Sequence, residues 1–264
     1  MKEIKMIVSD LDGTLLLNGK QNLEPEIFPV IHALRERGIL FFAASGRQYP
    51  NLRRLFEPVQ DEIGYICENG CVAFWENRLL FESHMEKELG NEILSAVRKR
   101  EGEELLRSGR MTSYLQPKEE SYLIHIRDVV KNHVTVVEDI FSVKEPFTKI
   151  SVYNRCGMEE GSRFWKEKFG ERASVVVSGE CWVDLTPKGT NKGTALEAVC
   201  RSLGIGSEAC MAFGDNENDL EMLRYAGTAW GMEKCHPEVK ALCESFTPRV
   251  DPVLQQLLTK QKSG

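Results

Sequence analysis

Two aspartates separated by one residue are the most informative chemical feature of this chain. Residues 9–14 read Ser-Asp-Leu-Asp-Gly-Thr and follow a largely apolar run at residues 4–8. An apolar run that ends at Asp and Gly predicts a buried strand followed by a loop. Because side chains repeat every two residues on a strand, Asp10 and Asp12 are expected to leave it on the same side.

Two carboxylates at this spacing repel each other unless a cation, a shared proton or solvent separates them. A Mg²⁺ ion, which prefers oxygen ligands, would resolve that conflict. The pair also offers a nucleophile and a neighbouring proton donor and acceptor. An Asp-rich turn in which Gly13 supplies the bend explains the segment equally well. Three further segments favour the interpretation that the two aspartates carry out chemistry.

The first of these segments follows a second apolar run, at residues 39–44, and reads Ser45-Gly46-Arg47. Ligands of open α/β sheets lie beyond the carboxyl ends of the strands. Ser45 can donate a hydrogen bond, Gly46 leaves its N–H accessible, and Arg47 adds positive charge. A helix N-cap with a solvated arginine is the alternative interpretation of this segment alone.

The second segment, Thr190-Asn191-Lys192-Gly193, places a lysine at the start of a predicted helix. The backbone at a helix N-terminus already favours anions, so Lys192 could hold a phosphate and stabilise its charge in the transition state. An ordinary exposed lysine is the alternative. The spacing alone does not exclude the nearby Lys188.

The third segment begins after the apolar run at residues 210–213 and reads Gly-Asp-Asn-Glu-Asn-Asp. Asp215 is the first carboxylate beyond this run and could complete a hard oxygen site with Asp10. Asn218 or Asp219 could orient the other groups. Asp and Asn also favour helix N-caps, and both readings can hold for different members of the segment.

The elements around these segments predict a parallel sheet. A helix at residues 25–38, with apolar residues at helical spacing, separates the apolar runs that precede Asp10 and Ser45. Strand, helix and strand in this order form a βαβ unit. A third strand is predicted at residues 65–67 and a hairpin at residues 71–82. Residues 192–203, 210–213 and 218–225 then repeat the helix and strand alternation.

An insertion of different character interrupts this pattern at residues 83–183. Alternating apolar and polar residues predict strands at residues 122–127 and 149–153, each with one wetter face. A helix at about residues 158–169 and a strand at residues 174–177 follow. The fold class is therefore α/β, with a discontinuous parallel-sheet domain at residues 1–82 and 184–264 and an α+β insertion between its halves.

Bulk composition excludes several classes of protein. The 264 residues carry a net charge of −6, which disfavours a nucleic-acid partner. No apolar stretch reaches the length of a membrane span, and residues 1–5 lack the layout of a signal peptide, so the expected location is the cytoplasm. The eight cysteines form no C-x-x-C pair and are expected to be reduced structural residues.

Taken in chain order, the segments DLDGT, SGR, NKG and GDNENDLEML resemble the four motifs of the haloacid dehalogenase superfamily. The insertion between the second and third motifs resembles the α+β cap of the type IIB, Cof-like branch. The turn at residues 68–70, Glu-Asn-Gly, is similar to an Asn-Gly element of that branch.

This resemblance implies a Rossmann-like core and a Mg²⁺-dependent phosphatase that acts on small phosphate monoesters such as sugar phosphates, nucleotides or cofactor phosphates. Asp10 would be the nucleophile that forms an aspartyl-phosphate, and Asp12 the general acid and base. The implied ligands of Mg²⁺ are Asp10, Asp215 and the backbone carbonyl of Asp12. The remaining implied site residues bind phosphate (Ser45, Gly46, Lys192 and Asn218) or support the site (Thr14, Arg47 and Asp219).

Two other functions fit the same motifs. A phosphosugar mutase would return the phosphoryl group to a sugar, and a ligand-binding or regulatory protein could keep the fold without catalysis. The insertion is expected to control substrate choice, with His125, Arg127 and Glu180 as candidate contacts to the leaving group. The sequence leaves the physiological substrate and the oligomeric state open.

Overall fold

The computed structural model describes residues 3–178 and 180–260. The strands in this part of the chain are β1 (Met6–Asp10), β2 (Leu40–Ala44), β3 (Gly64–Cys67), β4 (Val72–Trp75), β5 (Arg78–Glu82), β6 (Glu104–Ser108), β7 (Ser113–Leu115), β8 (Val134–Val136), β9 (Lys149–Tyr153), β10 (Ala173–Val177), β11 (Trp182–Pro187), β12 (Cys210–Gly214), β13 (Thr228–Met232) and β14 (Ser245–Thr247). The α-helices are α1 (Ile27–Glu36), α2 (Tyr49–Leu55), α3 (Lys87–Arg98), α4 (Glu120–Ile124), α5 (Glu159–Phe169), α6 (Lys192–Leu203), α7 (Leu220–Tyr225), α8 (Pro237–Leu242) and α9 (Val250–Lys260).

The chain divides into two compact units. The first contains an eight-stranded sheet in the order β14-β13-β12-β1-β2-β3-β4-β5. The strands from β14 to β3 run parallel to their neighbours, and β4 pairs antiparallel with β3. This is the predicted parallel α/β core, extended at one edge by the predicted hairpin.

The register of this sheet brings three motif segments to one edge. Strand β1 lies between β12 and β2, with Asp10 beside Ala44 and Ser9 beside Phe213. All five residues of β1 and of β12 are buried, as expected for strands covered on both faces. Because parallel strands end at the same edge of a sheet, the residues after β1, β2 and β12 meet there.

The second unit contains a six-stranded sheet in the order β10-β11-β9-β6-β7-β8. All its neighbouring strands are antiparallel except β7 and β8. Helices α3 and α5 bury their apolar faces against it, in a cluster that includes Ile93, Val97, Trp165 and Phe169. Every helix among residues 3–178 and 180–260 is too short or too polar to cross a lipid bilayer.

The strand expected at residues 122–127 is wrong, because this segment is helical. Helix α4 continues as a π-helical turn through residues 125–129. Tyr122 and Ile126, four residues apart, are both buried in a cluster with Leu106 and Leu115. Alternating apolar residues satisfy either element over so short a run, and packing against the sheet selects the helix.

The return to the first unit comes later than the sequence indicates. The expected boundary at residue 184 falls inside β11, which pairs with β9 as far as Leu185 and with β10 as far as Pro187. The second unit consists of Gly46–Asn51 and Glu82–Thr190. Strand β11 pairs in this sheet, and sequence periodicity does not reveal which sheet a strand joins.

The cysteines form no disulfide, and all eight lie within the described residues. Five of them are buried, and Cys200 and Cys210 belong to the apolar core of the first unit. The five buried cysteines occupy positions expected of small buried thiols, whereas Cys156 is exposed and Cys181 and Cys235 are half-buried.

Candidate active site

A buried lysine joins two carboxylates at the carboxyl edge of the first sheet. Lys192 begins α6, and its Nζ donates to Asp10 Oδ1 at 2.5 Å and to Asp219 Oδ1 at 2.7 Å. Lys192 and Asp219 are 0% exposed and Asp10 is 4% exposed. Asn191 caps α6 by accepting from the Thr194 N–H at 2.9 Å, which fixes the start of the helix and therefore the lysine.

Burial and charge act on these groups in opposite directions. The pKa of Asp10 is raised well above its ordinary value by burial and then by the charges of Asp219 and Asp215, against the lowering effect of Lys192. Burial lowers the pKa of Lys192, but the charges of Asp10 and Asp219 more than offset it, and the net shift is upwards. Lys192 is therefore a fixed cation beside a carboxylate that is costly to ionise.

Asp215 is held close to this cluster by the first motif loop. Thr14 Oγ1 donates to Asp215 Oδ1 at 2.9 Å. Gly13 has φ +99°, and a Cβ atom there would lie 2.2 Å from Asp215 Oδ2. Glycine thus lets the loop backbone approach the carboxylate. Burial, followed by the charge of Asp219, raises the pKa of Asp215 to about 6.

Asp10, Asp215 and Asp219 each offer a carboxylate oxygen within 4.8 Å of the others. The two oxygens of Asp219 are engaged, one by Lys192 and the other by the backbone N–H groups of Asp215 and Asn216 at 3.0 and 3.1 Å. By contrast, Asp10 Oδ2 is buried and has no hydrogen-bond partner. A buried carboxylate oxygen without a partner, next to a second carboxylate, suits a hard divalent cation.

Asp12 lies in the loop that follows β1. Strand β1 ends at Asp10, and the backbone then turns back, with the Gly13 N–H donating to the Leu16 carbonyl at 3.0 Å. The alternation expected of an extended strand therefore does not reach Asp12, which is exposed. Its exposure leaves it accessible to solvent and to a bound ligand.

A buried turn that follows β3 connects the second and fourth motifs. The Asn69 N–H donates to the Ser45 carbonyl at 3.1 Å, and Asn218 Nδ2 donates to Asn69 Oδ1 at 3.3 Å. Asn69 has φ +56° and Gly70 has φ +94°. The sequence identifies Asn69 and Gly70 as a turn similar to an Asn-Gly element of the type IIB branch, but it assigns them no role in the site. An Asn-Gly pair that adopts the left-handed conformation is the signal that could have identified them as site residues.

Replacing Gly70 by alanine is expected to lower both stability and kcat. A Cβ atom there would lie 2.2 Å from the Asn191 carbonyl oxygen, next to Lys192. Strain and overpacking should cost about 1–3 kcal/mol in urea unfolding. Gly19→Ala is the matched control, since Gly19 also has positive φ, +71°, but no atom lies within 4 Å of its added Cβ. Equal loss of activity in both variants would contradict the contact with Asn191.

The other expected site residues are more dispersed. Ser45 is buried, whereas Gly46 and Arg47 are half-buried and belong to the second unit. His125 stacks on Tyr153 with ring centroids 5.1 Å apart, and Arg127 pairs with the neighbouring Asp128. Glu180 is exposed. These contacts of His125 and Arg127 explain their positions without a ligand.

Comparison with known proteins gives consistent results. The family model for haloacid dehalogenase-like hydrolases matches residues 7–252. YbjI of Escherichia coli (strain K12), a 5-amino-6-(5-phospho-D-ribitylamino)uracil phosphatase, is 26% identical over 239 residues, which cover 90% of this chain and 88% of YbjI. A crystal structure from Eubacterium rectale aligns with a TM-score of 0.87 and 26% identity, over 96% of this chain and 99% of the other.

A structure of the subclass IIB sugar phosphatase BT4131 aligns with a TM-score of 0.79 and 23% identity, over 96% of this chain and 98% of that one. This likeness supports the fold of the two units. The family model covers nearly all of the sequence and includes all four motif segments. The chain therefore belongs to the haloacid dehalogenase-like hydrolases and is a phosphoric monoester hydrolase, and its fold is similar to that of the sugar phosphatase BT4131.

Proposed function

We propose that the protein hydrolyses small phosphate monoesters through a covalent phosphate on Asp10, with Mg²⁺ as cofactor. The observation that carries the proposal is the environment of Asp10. One of its oxygens is fixed by Lys192 and the other is buried without a partner, beside Asp215. A carboxylate that is oriented but only half satisfied is suited to attack a phosphorus atom.

In the first step, an Asp10 oxygen attacks phosphorus and the bond from phosphorus to the leaving oxygen breaks. Asp12 supplies the proton that the leaving oxygen needs. Lys192 stabilises charge on the phosphoryl oxygens, since an ammonium has three donors and Asp10 and Asp219 engage two of them. The Ser45 hydroxyl and the Gly46 N–H are assigned to the same oxygens, and Asn218 is assigned to orient them.

In the second step, Asp12 removes a proton from water, and the water oxygen attacks phosphorus. The bond from Asp10 to phosphorus then breaks, inorganic phosphate leaves, and the Asp10 carboxylate is restored. The proton that Asp12 gave in the first step is thereby regained, so the enzyme is unchanged after one turnover.

Asp10, Asp215 and the backbone carbonyl of Asp12 are the residues that would hold Mg²⁺. When bound, the ion would reduce the repulsion between an anionic nucleophile and an anionic phosphate. Thr14 keeps Asp215 in place and Asp219 keeps Lys192 in place, while Arg47 adds positive charge near the second motif.

The second unit is proposed to select the leaving group. All four motifs start outside the predicted insertion at residues 83–183. An inserted unit that does not supply the motifs can exclude water and contact the variable part of a substrate. The Escherichia coli relative YbjI is named as a phosphatase of a phosphorylated ribitylaminouracil. Phosphorylated polyols and sugars therefore belong in the first substrate panel, together with nucleotides and cofactor phosphates.

A trapping experiment tests the covalent step. The protein is mixed with p-nitrophenyl phosphate and Mg²⁺, quenched in acid, treated with hydroxylamine and mapped by mass spectrometry. Asp10 should be the modified residue, and Asp12→Asn should retain more phosphate than the wild type. Phosphate release without a bisphosphate activator would separate a phosphatase from a mutase. Absence of any adduct during rapid turnover would contradict the mechanism.

Asp215→Asn is expected to raise the Mg²⁺ concentration for half-maximal activity by about tenfold to a hundredfold. The amide keeps the shape and can still accept from Thr14, but it removes one negative ligand. The exposed Asp61→Asn provides the control. Unchanged Mg²⁺ dependence in Asp215→Asn, or full activity of the wild type in EDTA, would argue against this metal site.

Stabilisation of the fold by Mg²⁺ is expected to depend on pH. The pKa of Asp215 is about 6, so this carboxyl becomes protonated as the pH falls through that value, and burial also raises the pKa of Asp10. A carboxyl must be ionised to bind metal. The rise in Tm that Mg²⁺ causes should therefore be larger at pH 8 than at pH 5. An equal rise at both values would indicate that Mg²⁺ binds elsewhere.

A further inference from the structure

A buried lysine of the second unit binds the second motif segment. Lys149 begins β9, and its Nζ donates to the Gly46 carbonyl oxygen at 2.9 Å. Lys149 is 6% exposed. Gly46 follows Ser45 directly in the chain, so the cation contacts the peptide group between Gly46 and Arg47, one residue beyond the proposed phosphate-binding serine.

A carboxylate on the neighbouring strand fixes this lysine. Asp184 lies on β11 beside Ser151 of β9, and its Oδ2 is 3.5 Å from Lys149 Nζ. Ser151 Oγ donates to Asp184 Oδ1 at 2.6 Å, and Ser178 Oγ donates to Oδ2 at 2.9 Å. Both Asp184 and Ser151 are buried. The side chain of Lys149 is thus held by a hydrogen-bonded partner of opposite charge.

Stability alone does not account for this pair. Removing two charges from water is costly, and well-packed apolar residues in place of a buried ion pair are often equally stabilising. Two other side chains already connect residues 46–51 to the rest of the second unit. Gln48 Oε1 accepts from the His133 N–H at 3.1 Å, and Asn51 Nδ2 donates to the Val130 carbonyl at 2.8 Å. Among the contacts of Lys149, Gln48 and Asn51, the one made by Lys149 involves a charged side chain and binds the Gly46 carbonyl oxygen.

We infer that Lys149 is a positioning residue for phosphate binding, an inference that rests on the proposed function. Gly46 has no side chain to limit rotation of its peptide groups. A carbonyl oxygen turned towards a phosphate would repel it. The ammonium of Lys149 keeps this oxygen turned towards itself, so that the N–H of Gly46 and the hydroxyl of Ser45 remain the groups offered to the anion.

Inhibition by orthovanadate, an analogue of phosphate, provides the test. Lys149→Met should raise the Ki for orthovanadate and the KM for p-nitrophenyl phosphate by about tenfold, with a smaller change in kcat. The Mg²⁺ requirement should stay as in the wild type. Lys149→Arg should restore most of the affinity because it keeps the charge. The exposed Lys144→Met controls for loss of one positive charge from the same unit.

Lys149→Met leaves Asp184 buried without its cation and can impair folding. The double variant Lys149→Met/Asp184→Asn removes both charges and should show the same tenfold rise in Ki. In a Ser45→Ala background, Lys149→Met should have little further effect, because both changes act on one binding segment. The inference would be overturned if the effects of Ser45→Ala and Lys149→Met on the Ki added fully. An unchanged Ki in a folded Lys149→Met variant would overturn it as well.

Calorimetry separates this inference from the proposed function. If the wild type releases no phosphate from any ester, the proposed hydrolysis fails, but orthovanadate binding to wild type and Lys149→Met can still be compared. Weaker binding to the variant would support the role of Lys149. Equal binding to both proteins, or no binding to either, would overturn it.

Discussion

Replacing Asp10 by asparagine is expected to lower kcat by about four orders of magnitude or more while the fold remains at least as stable as the wild type. Asparagine keeps the shape but cannot act as the attacking carboxylate. Its amide oxygen can still accept from Lys192, which also retains Asp219. Because burial and two neighbouring carboxylates oppose the charge on Asp10, removing that charge relieves repulsion.

This combination of lost activity and kept stability distinguishes a nucleophile from a structural residue. Tm and urea unfolding are measured without metal, and kcat is measured with saturating Mg²⁺. The variant should also give no phosphorylated protein on quenching. Turnover within tenfold of the wild type would show that another group attacks phosphorus. A large loss of stability together with activity would instead indicate that Asp10 mainly holds the fold.

Lys192→Met is expected to have the largest combined effect on stability and activity. Methionine approximates the length of the lysine stem but leaves Asp10 and Asp219 buried together without a cation. Removing one partner of a buried ion pair costs about 3–5 kcal/mol. In addition to this loss of stability, removal of the charge next to the phosphoryl group should lower kcat by a factor of about 10²–10³.

The nearby Lys188→Met is the matched control for this prediction. Lys188 is exposed, and its Nζ donates to the Gly170 carbonyl within the second unit. The control should change stability by less than about 0.5 kcal/mol and leave kcat near the wild-type value. If the two lysine variants behaved alike, the assignment of Lys192 as the phosphate-binding lysine would be wrong.

The amino-acid sequence was sufficient to locate the polar ends of the core strands. Asp10, Ser45 and Asp215 each come just after a largely apolar run, and such runs become buried parallel strands because both of their faces must be covered. The helix from Lys192 to Leu203 was also evident, since its apolar spacing and the glycine after it are local signals. These features depend on residues that are neighbours in the chain.

Interactions between residues that are far apart in the chain could not be predicted from these local signals. Asp219 was expected to support the site, but its contacts to Lys192 and to the backbone of Asp215 depend on how α6 and β12 pack. The roles of Asn69 and Gly70 likewise depend on the approach of Ser45, Asn218 and Asn191. Sequence periodicity does not encode which turns meet.

In the second unit too, some features were predicted from the sequence and others were decided only by the tertiary structure. The sequence indicated that residues after about 83 differ from the parallel core, since the segments predicted there as strands alternate apolar and polar residues. Only the tertiary structure decided that residues 122–127 form a helix, that β11 pairs with β9, and that Lys149 contacts Gly46. Local spacing limits the type of element that a segment can form. Burial against the rest of the chain selects among the permitted elements, because most of the stabilising free energy comes from that packing.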